Sequence, residues 1–350
     1  MFGFSIFASD GPLDIAYIEA MAAAGFGGVF TSAHIPEDDP GKYRAFLEPL
    51  GEATKRLGLN LTVDVSGNAL ERAGFSFSDL GTLREIGVTG LRADFHISNE
   101  QIAVASHEIE MALNASTVTE NDVAELARFD ADFDKLLAWH NYYPRPETGL
   151  GAKDFWAKNH FLKSRDFRVV AFTPGDARLR APLREGLPTL ERHRYGNPLA
   201  GALDLVQNCE VDDVYIGDGG LSGRTREQFA AYLKDGEVLL FAKKYGELFD
   251  YVASHDHVNR HDAARDALRS AEARFWTVPD VPQENTIARK KGSITIDNVD
   301  YGRYRGDIQV TTRRLPADDR VNVVGRVIER DRGLLKQIKG GMGFRVKSVG

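Results

Sequence analysis

The sequence predicts an α/β fold: a (β/α)8 TIM barrel followed by a small β-rich, compact barrel domain. Three observations predict it. Eight short apolar runs recur along the first part of the chain, at residues 2–8, 28–33, 60–65, 88–94, 111–114, 136–140, 168–172 and 213–216. Most segments between them read as helices, several closed by a glycine. After residue 245 or so the pattern changes to short strands separated by Gly and Asp turns.

The first unit is clear: residues 2–8 are strand-like, and 14–24 form an Ala-rich helix ending at Gly25. GGVFTSAHIPEDDP supplies the second strand, with Pro36 and Pro40 punctuating a loop before the helix around 43–57. Gly58 closes that helix, and LNLTVDVS is the third strand. Near-continuous apolar character suits strands buried on both faces. LGTLREIGVTGLRADF repeats the helix–Gly–strand order, AWHNYYPRP marks a sixth strand end rich in aromatics, and a long loop rich in Arg, Pro and Gly follows the seventh, from Pro174 to about Asn197. The barrel is assigned to 1–245 and the second domain to 250–350. In the latter, LFDYVASHDHVNRHDAARDALRSAEARF reads as helical in its second half, VPQENTIARKKG as a linker or arm, and ITIDN, DYGRYRGDIQVTT, RVNVVGRVI and GFRVKSV as strands.

Composition narrows the function classes. The 350 residues are 43% hydrophobic and 27% charged, with a formal net charge of −7. That balance argues against a nucleic-acid footprint. The single cysteine, Cys209, cannot form an intrachain disulfide, which fits a reducing cytoplasm. MFGFSIFASDG reads as a first strand rather than a signal peptide, and no window is apolar enough for a membrane helix.

The polar ends of the apolar runs are the candidate site, because the C-terminal strand ends of such a barrel share one mouth. Asp64, Arg92 and Asp94 end strands three and four. Residues two apart on a strand share a face, so Arg92 and Asp94 can point together into the barrel. They fit either a catalytic carboxylate held by an arginine or a structural salt bridge. Asn114 and the run His140, Asn141, Tyr142 and Arg145 offer flat or amide-bearing groups for sugar hydroxyls, with Arg145 for an anion. The loop after strand seven carries Arg178, Arg180, Arg184, Arg192 and Arg194 with Glu185 and Glu191, as an anion site or as a solvated charged loop. GDGGLSG, 217–223, fits a phosphate cradle or a plain Gly-rich turn. No metal or cofactor motif is present: His255, His257 and His261 lie outside the barrel, with no HExxH or CxxC.

Several stretches are long enough to be specific: FTSAHIPEDDP, GVTGLRADF, LNAST, HNYYPRPETGL, EGLPTLERHR and DDVYIGD, then NTIARKKGSITIDNVDYGRYRGDIQV and RVNVVGRVIERD. Through them the chain resembles the MupG-like 6-phospho-N-acetylmuramidases over nearly its whole length. The resemblance implies a TIM barrel with a C-terminal cyclophilin-like β domain, and cytoplasmic hydrolysis of the β-1,4 bond in a 6-phosphorylated MurNAc–GlcNAc disaccharide, a peptidoglycan-recycling step. The first strand departs from the expected pattern at ASDGPL, which weighs against Asp10 as a shared functional position.

The sequence therefore nominates Asp94 and Glu185 as the catalytic carboxyl pair, with Asp64 as the alternative. Arg92, Asn114, His140, Asn141, Tyr142, Arg145, Glu191, His193 and Asp218 complete the expected substrate pocket. No metal, cofactor, nucleic-acid or membrane partner is expected, and assembly into an oligomer is compatible with the sequence. Two rivals remain at this point: a barrel lyase or isomerase on a phosphosugar, with His140 or His34 as base, and a non-catalytic carbohydrate-binding protein.

Overall fold

The computed structural model describes residues 1–32, 40–65, 75–77, 79–93 and 97–349, with the backbone alone at 40–42. Eight parallel strands close into a barrel in chain order: β1 (Phe2–Ser5), β2 (Gly28–Ser32), β3 (Asn60–Val65), β4 (Gly90–Ala93), β5 (Glu110–Asn114), β6 (Leu136–Trp139), β7 (Arg168–Thr173) and β8 (Asp213–Ile216). Helices alternate with them, which makes this a TIM barrel. No described helix is long and apolar enough to cross a membrane.

Local chemistry sets the boundaries. The helix Ile15–Ala23 starts where the Asp14 carboxylate accepts the Tyr17 amide. Ser98 with Gln101, and Thr119 with Asp122, close reciprocal capping boxes before Asn99–Ser106 and Glu120–Arg128. Asn197 caps Pro198–Asn208, whose first residue is a proline. Gly87 ends Leu80–Ile86 at φ +119°, a conformation other residues resist.

Side-chain parity decides what each strand sends inward. Phe7, Phe30, Ala112, Leu137, Trp139, Val170, Phe172 and Tyr215 form one buried cluster inside the barrel. Tyr215 takes its space from two glycines. A Cβ on Gly3 would sit 2.2 Å from its ring, and one on Gly28 would sit 2.3 Å from its hydroxyl. Those strand glycines are therefore packing residues, not flexible points.

The chain divides into two compact units, 1–226 and 227–350. The second is a mixed seven-stranded, barrel-like sheet. Its strands are β9 (Glu237–Lys244), β10 (His257–Val258), β11 (Ala267–Arg269), β12 (Ser293–Asp297), β13 (Ile308–Thr311), β14 (Val321–Val327) and β15 (Gly343–Ser348), in the order β10-β15-β9-β14-β12-β13-β11. The sequence set the change of character near 245. The apolar run EVLLFAKK, β9, instead pairs with β14 and β15 of the second sheet. The expected helix in the second half of 248–275 is also corrected. Leu248–Ala253 is the helix, while Ala267–Arg269 pairs with β13, so cross-strand pairing overrides the helix propensity of an Ala-rich stretch. Within this unit Asp331 is buried but satisfied, accepting from Gln228 Nε2 at 2.9 Å and the Phe241 amide at 3.0 Å.

Two substitutions test these packing statements. Gly3→Ala should destabilise the barrel by roughly 1–3 kcal/mol, as overpacking does, read as a lower denaturation midpoint. Asp297, 4% exposed, is pushed up to about 7 by burial and by the neighbouring Asp307. With the folded value above the unfolded one, ionisation penalises the native state progressively as pH rises from about 4 to 7. Asp297→Asn should thus gain stability over the wild type across that window in pH-dependent melts. A gap that does not widen would contradict the assignment.

Candidate active site

Strand register builds the mouth before any side chain does. Ser32 of β2 pairs with Asp64 of β3, and Asp64 pairs with Arg92 of β4. Three polar residues thus stand in one row on the inward face. The Asp64 carboxylate accepts from Arg92 Nη1 at 2.7 Å and from Ser32 Oγ at 3.1 Å. The residue of β5 opposite Arg92 is Ala112. Its small side chain leaves the guanidinium room to reach the end of β6 and the loop beyond it, where Nη2 donates to the Trp139 carbonyl at 3.5 Å and to Asn141 Oδ1. Asp64 and Arg92 are 7% and 3% exposed, so each charge relies on the other.

Aromatic rings surround this row. Phe30 lies 5.4 Å from Trp139 and 5.2 Å from Phe172, and half-buried Tyr142 stands 5.1 Å from Phe172. The Tyr142 phenol is pushed up to about 12, chiefly by burial. It lies among the charges of Arg180, Asp64, Arg92 and Asp218. It therefore stays protonated and can donate a hydrogen bond into the mouth.

Of the residues nominated from sequence, Asp64, Arg92, Asn141 and Tyr142 come together here. Asn114 ends β5 with its side chain accepting the Ser116 amide at 3.1 Å. Asp94 lies outside the described residues, as does His34. His140 does not reach the mouth. Trp139 points inward, so its neighbour on the strand points outward to the helix layer. There Nε2 faces Asn159 Oδ1 at 2.6 Å, and the ring packs 4.5 Å from Phe155. Asn159 donates its amide to the Cys209 carbonyl, so its oxygen is what faces His140, and the histidine carries its proton on Nε2. Burial pulls His140 down to about 4, leaving it neutral and structural.

Three further nominees hold loops in place. Asp218 accepts the amides of Gly175, Arg180 and Leu187 at 2.8, 3.0 and 2.9 Å. It ties the long loop after β7 to the end of β8, and burial pushes its carboxyl up. Glu191 accepts the Glu147 and Gly149 amides at 2.9 and 2.8 Å and pairs with Arg194. Arg194 in turn donates to the Gly186 and Arg145 carbonyls. The loops after β6 and β7 are stitched together by this pair. His193 pairs with Asp204 at 2.7 Å. Glu185 and Arg145 are exposed, and the Glu185 carboxylate accepts from the exposed Tyr195 hydroxyl at 3.1 Å.

The GDGG turn after β8 is built for close chain packing. A Cβ on Gly217 would lie 2.2 Å from the Leu187 carbonyl, and one on Gly219 would lie 2.3 Å from the Asp10 carboxylate. Among the described residues no group of three or more His, Cys, Asp or Glu is placed to hold a metal. Sequence reasoning missed Ser32, which the inward parity of β2 could have supplied. It also could not rank the loop arginines, of which Arg180 alone is buried against the aromatic wall, its guanidinium carbon 3.5 Å from the Phe7 ring centroid.

The barrel and the second unit match the two domain models of one family, described as 6-phospho-N-acetylmuramidase, N-terminal, over residues 2–231, and 6-phospho-N-acetylmuramidase, C-terminal, over 239–347. The chain belongs to the 6-phospho-N-acetylmuramidase family. Among solved structures it is similar to a conserved protein of unknown function from Enterococcus faecalis, at 46% identity and TM-score 0.92, covering 100% of this chain and 97% of that one. An uncharacterized B. cereus protein shares the fold at 24% identity and TM-score 0.74, covering 99% of both chains. No curated protein matches the chain.

The loop stitching has a pH signature. Pairing with Arg194 and the two amide bonds pull Glu191 down to about 2 from its ordinary 4.5. A lowered folded value contributes stability that is full above about pH 5 and is lost as pH falls through 2. The stability advantage of the wild type over Glu191→Gln should therefore shrink steadily on acidification across that range in denaturant titrations. An advantage that is constant with pH would mean the carboxylate charge contributes nothing.

Proposed function

We propose that this protein is a glycosidase that hydrolyses the β-1,4 bond between 6-phospho-N-acetylmuramic acid and N-acetylglucosamine, in cytoplasmic peptidoglycan recycling. Family membership over both units supports the reaction class. The observation that carries the reading is the ion-paired Asp64 in the mouth, in one row with Ser32 and Arg92 and walled by aromatic rings. Barrel chemistry belongs at that face.

Glycoside cleavage needs a carboxyl to protonate the leaving oxygen. It also needs a carboxylate to attack C1, orient water or hold a participating N-acetyl group. An ion-paired carboxylate suits the second task, so Asp64 takes that role. Asp94 and Glu185 are the candidates for the acid. Arg92, braced on Asn141, orients Asp64, and Tyr142 donates to the sugar. Asn114 and Arg145 border this pocket. A lyase or isomerase using His140 as base fits poorly, because that ring is 0% exposed, neutral, and occupied with Asn159.

The test is incubation with the phosphorylated disaccharide and product analysis by mass spectrometry. Two intact sugars with one water added are expected, against an unsaturated product for elimination and no turnover for a binding protein. Asp64→Asn should lower kcat by roughly 10²-fold or more while far-UV circular dichroism stays unchanged. Undiminished turnover in that variant would move the carboxylate role to another residue.

A further inference from the structure

The loop after β7 carries five arginines, and their surroundings separate them. Arg178 pairs with Asp14 at 3.1 Å and stacks on Tyr17. Arg192 pairs with Asp204, and Arg194 with Glu191. Arg184 is exposed. Arg180 differs from all four: it is 8% exposed and makes no ion pair among the described residues, and its Nη1 is buried without a hydrogen-bond partner. Its backbone is fixed at both ends of the residue, the amide donating to Asp218 Oδ1 at 3.0 Å and the carbonyl accepting the Arg184 amide at 3.1 Å. Its guanidinium carbon lies 3.5 Å from the ring centroid of Phe7, whose ring belongs to the wall that includes Tyr142.

A guanidinium withdrawn from water without a hydrogen-bonded carboxylate is costly to maintain, and the Asp218 charge nearby offsets only part of that cost. Stacking on an aromatic face compensates only in part. The cost is recovered when an anion with two or more oxygens arrives, because the planar fork matches it. The loops after strands seven and eight of such barrels are a frequent phosphate position. We propose that Arg180 is the residue that receives the phosphate of the phosphosugar, held ready by Phe7 and by the Asp218 clamp on its backbone. This rests on the phosphosugar reading above and assigns its anion to one side chain. The phosphate, and not the lactyl carboxylate of the same sugar, is the group received.

Calorimetric titration of the full-length protein with three monosaccharides separates the sources of charge. These are N-acetylmuramic acid 6-phosphate, N-acetylglucosamine 6-phosphate, which lacks the carboxylate, and N-acetylmuramic acid, which lacks the phosphate. Arg180→Met should weaken both phosphosugars by roughly tenfold or more and leave N-acetylmuramic acid within about twofold, since no charged contact to it is lost. Arg184→Met should leave all three unchanged. The proposal is overturned if both phosphosugars bind Arg180→Met as they bind the wild type, if the loss follows the carboxylate instead, if Arg184→Met carries the loss, or if the wild type binds neither phosphosugar. Because Arg180 has no ion-pair partner among the described residues to orphan, the methionine variant should fold. If it does not, Arg180→Lys keeps the charge but loses the fork and should still weaken both phosphosugars about threefold or more. Arg180-dependent binding without cleavage of the disaccharide would sink the hydrolase reading and leave the phosphate site standing. Cleavage at wild-type kcat/KM by Arg180→Met would do the reverse.

Discussion

The ion pair between Asp64 and Arg92 is the constraint around which the barrel mouth is organised. Both groups are almost wholly removed from water. Such a pair is tolerated with good geometry and with most of its other polar atoms engaged. Ser32 takes the second carboxylate oxygen, and Asn141 and the Trp139 carbonyl take the far side of the guanidinium, while Arg92 Nε is buried without a hydrogen-bond partner among the described residues. The result is a chain of contacts from β2 across β3 and β4 to β6, passing over Ala112. A larger residue at 112 would stand where the arginine crosses. Deleting one charge would strand the other, typically at a cost of about 3–5 kcal/mol. That cost makes the row a rigid reference for whatever binds above it.

The second level of organisation is the loop after β7. A segment from 174 to 197 without a long element of its own would ordinarily be mobile. Here the carboxylates of buried Asp218 and half-buried Glu191 take the place of secondary structure. Asp218 gathers three amides from separate points of the loop, and Glu191 with Arg194 binds it to the loop after β6. Thr189 adds a bond from its hydroxyl to the Asn141 carbonyl, connecting the loop to the residue that braces Arg92. Asp218, nominated from its place after a strand end, and Glu191, nominated from the loop, are therefore what tie these loops together.

The strand–helix rhythm was legible because buried parallel strands leave near-continuous apolar runs. The run 60–65 coincides with β3 and 213–216 with β8. The second unit was harder. Its strand β11 lies in an Ala-rich stretch whose local preference is helical, and only pairing with β13 makes it a strand. In the site, composition at strand ends nominated Asp64, Arg92, Asn141 and Tyr142, which come together. The same criterion nominated His140, whose place one residue beyond inward-facing Trp139 turns it to the helices. Strand parity, applied residue by residue, would have separated Asn141 from His140. No such rule sorts the loop arginines, whose partners are set by long-range contacts such as Asp218 with the Arg180 amide.

Burial of charge thus divides one loop into two kinds of residue. Where a carboxylate or carbonyl is supplied by the protein, as for Arg192 and Arg194, the charge is consumed in holding the structure together. Where no ion pair is made among the described residues, as for Arg180, the fold keeps a cation beside the aromatic wall with only the nearby Asp218 charge to offset it. A sequence under selection for stability alone would be expected to fill that position with an apolar side chain of similar volume. Under the proposal above, a guanidinium that is buried and makes no ion pair among the described residues is completed when substrate arrives. On that proposal, a local cation gives the site its preference for an anionic sugar although the chain as a whole carries a net charge of −7.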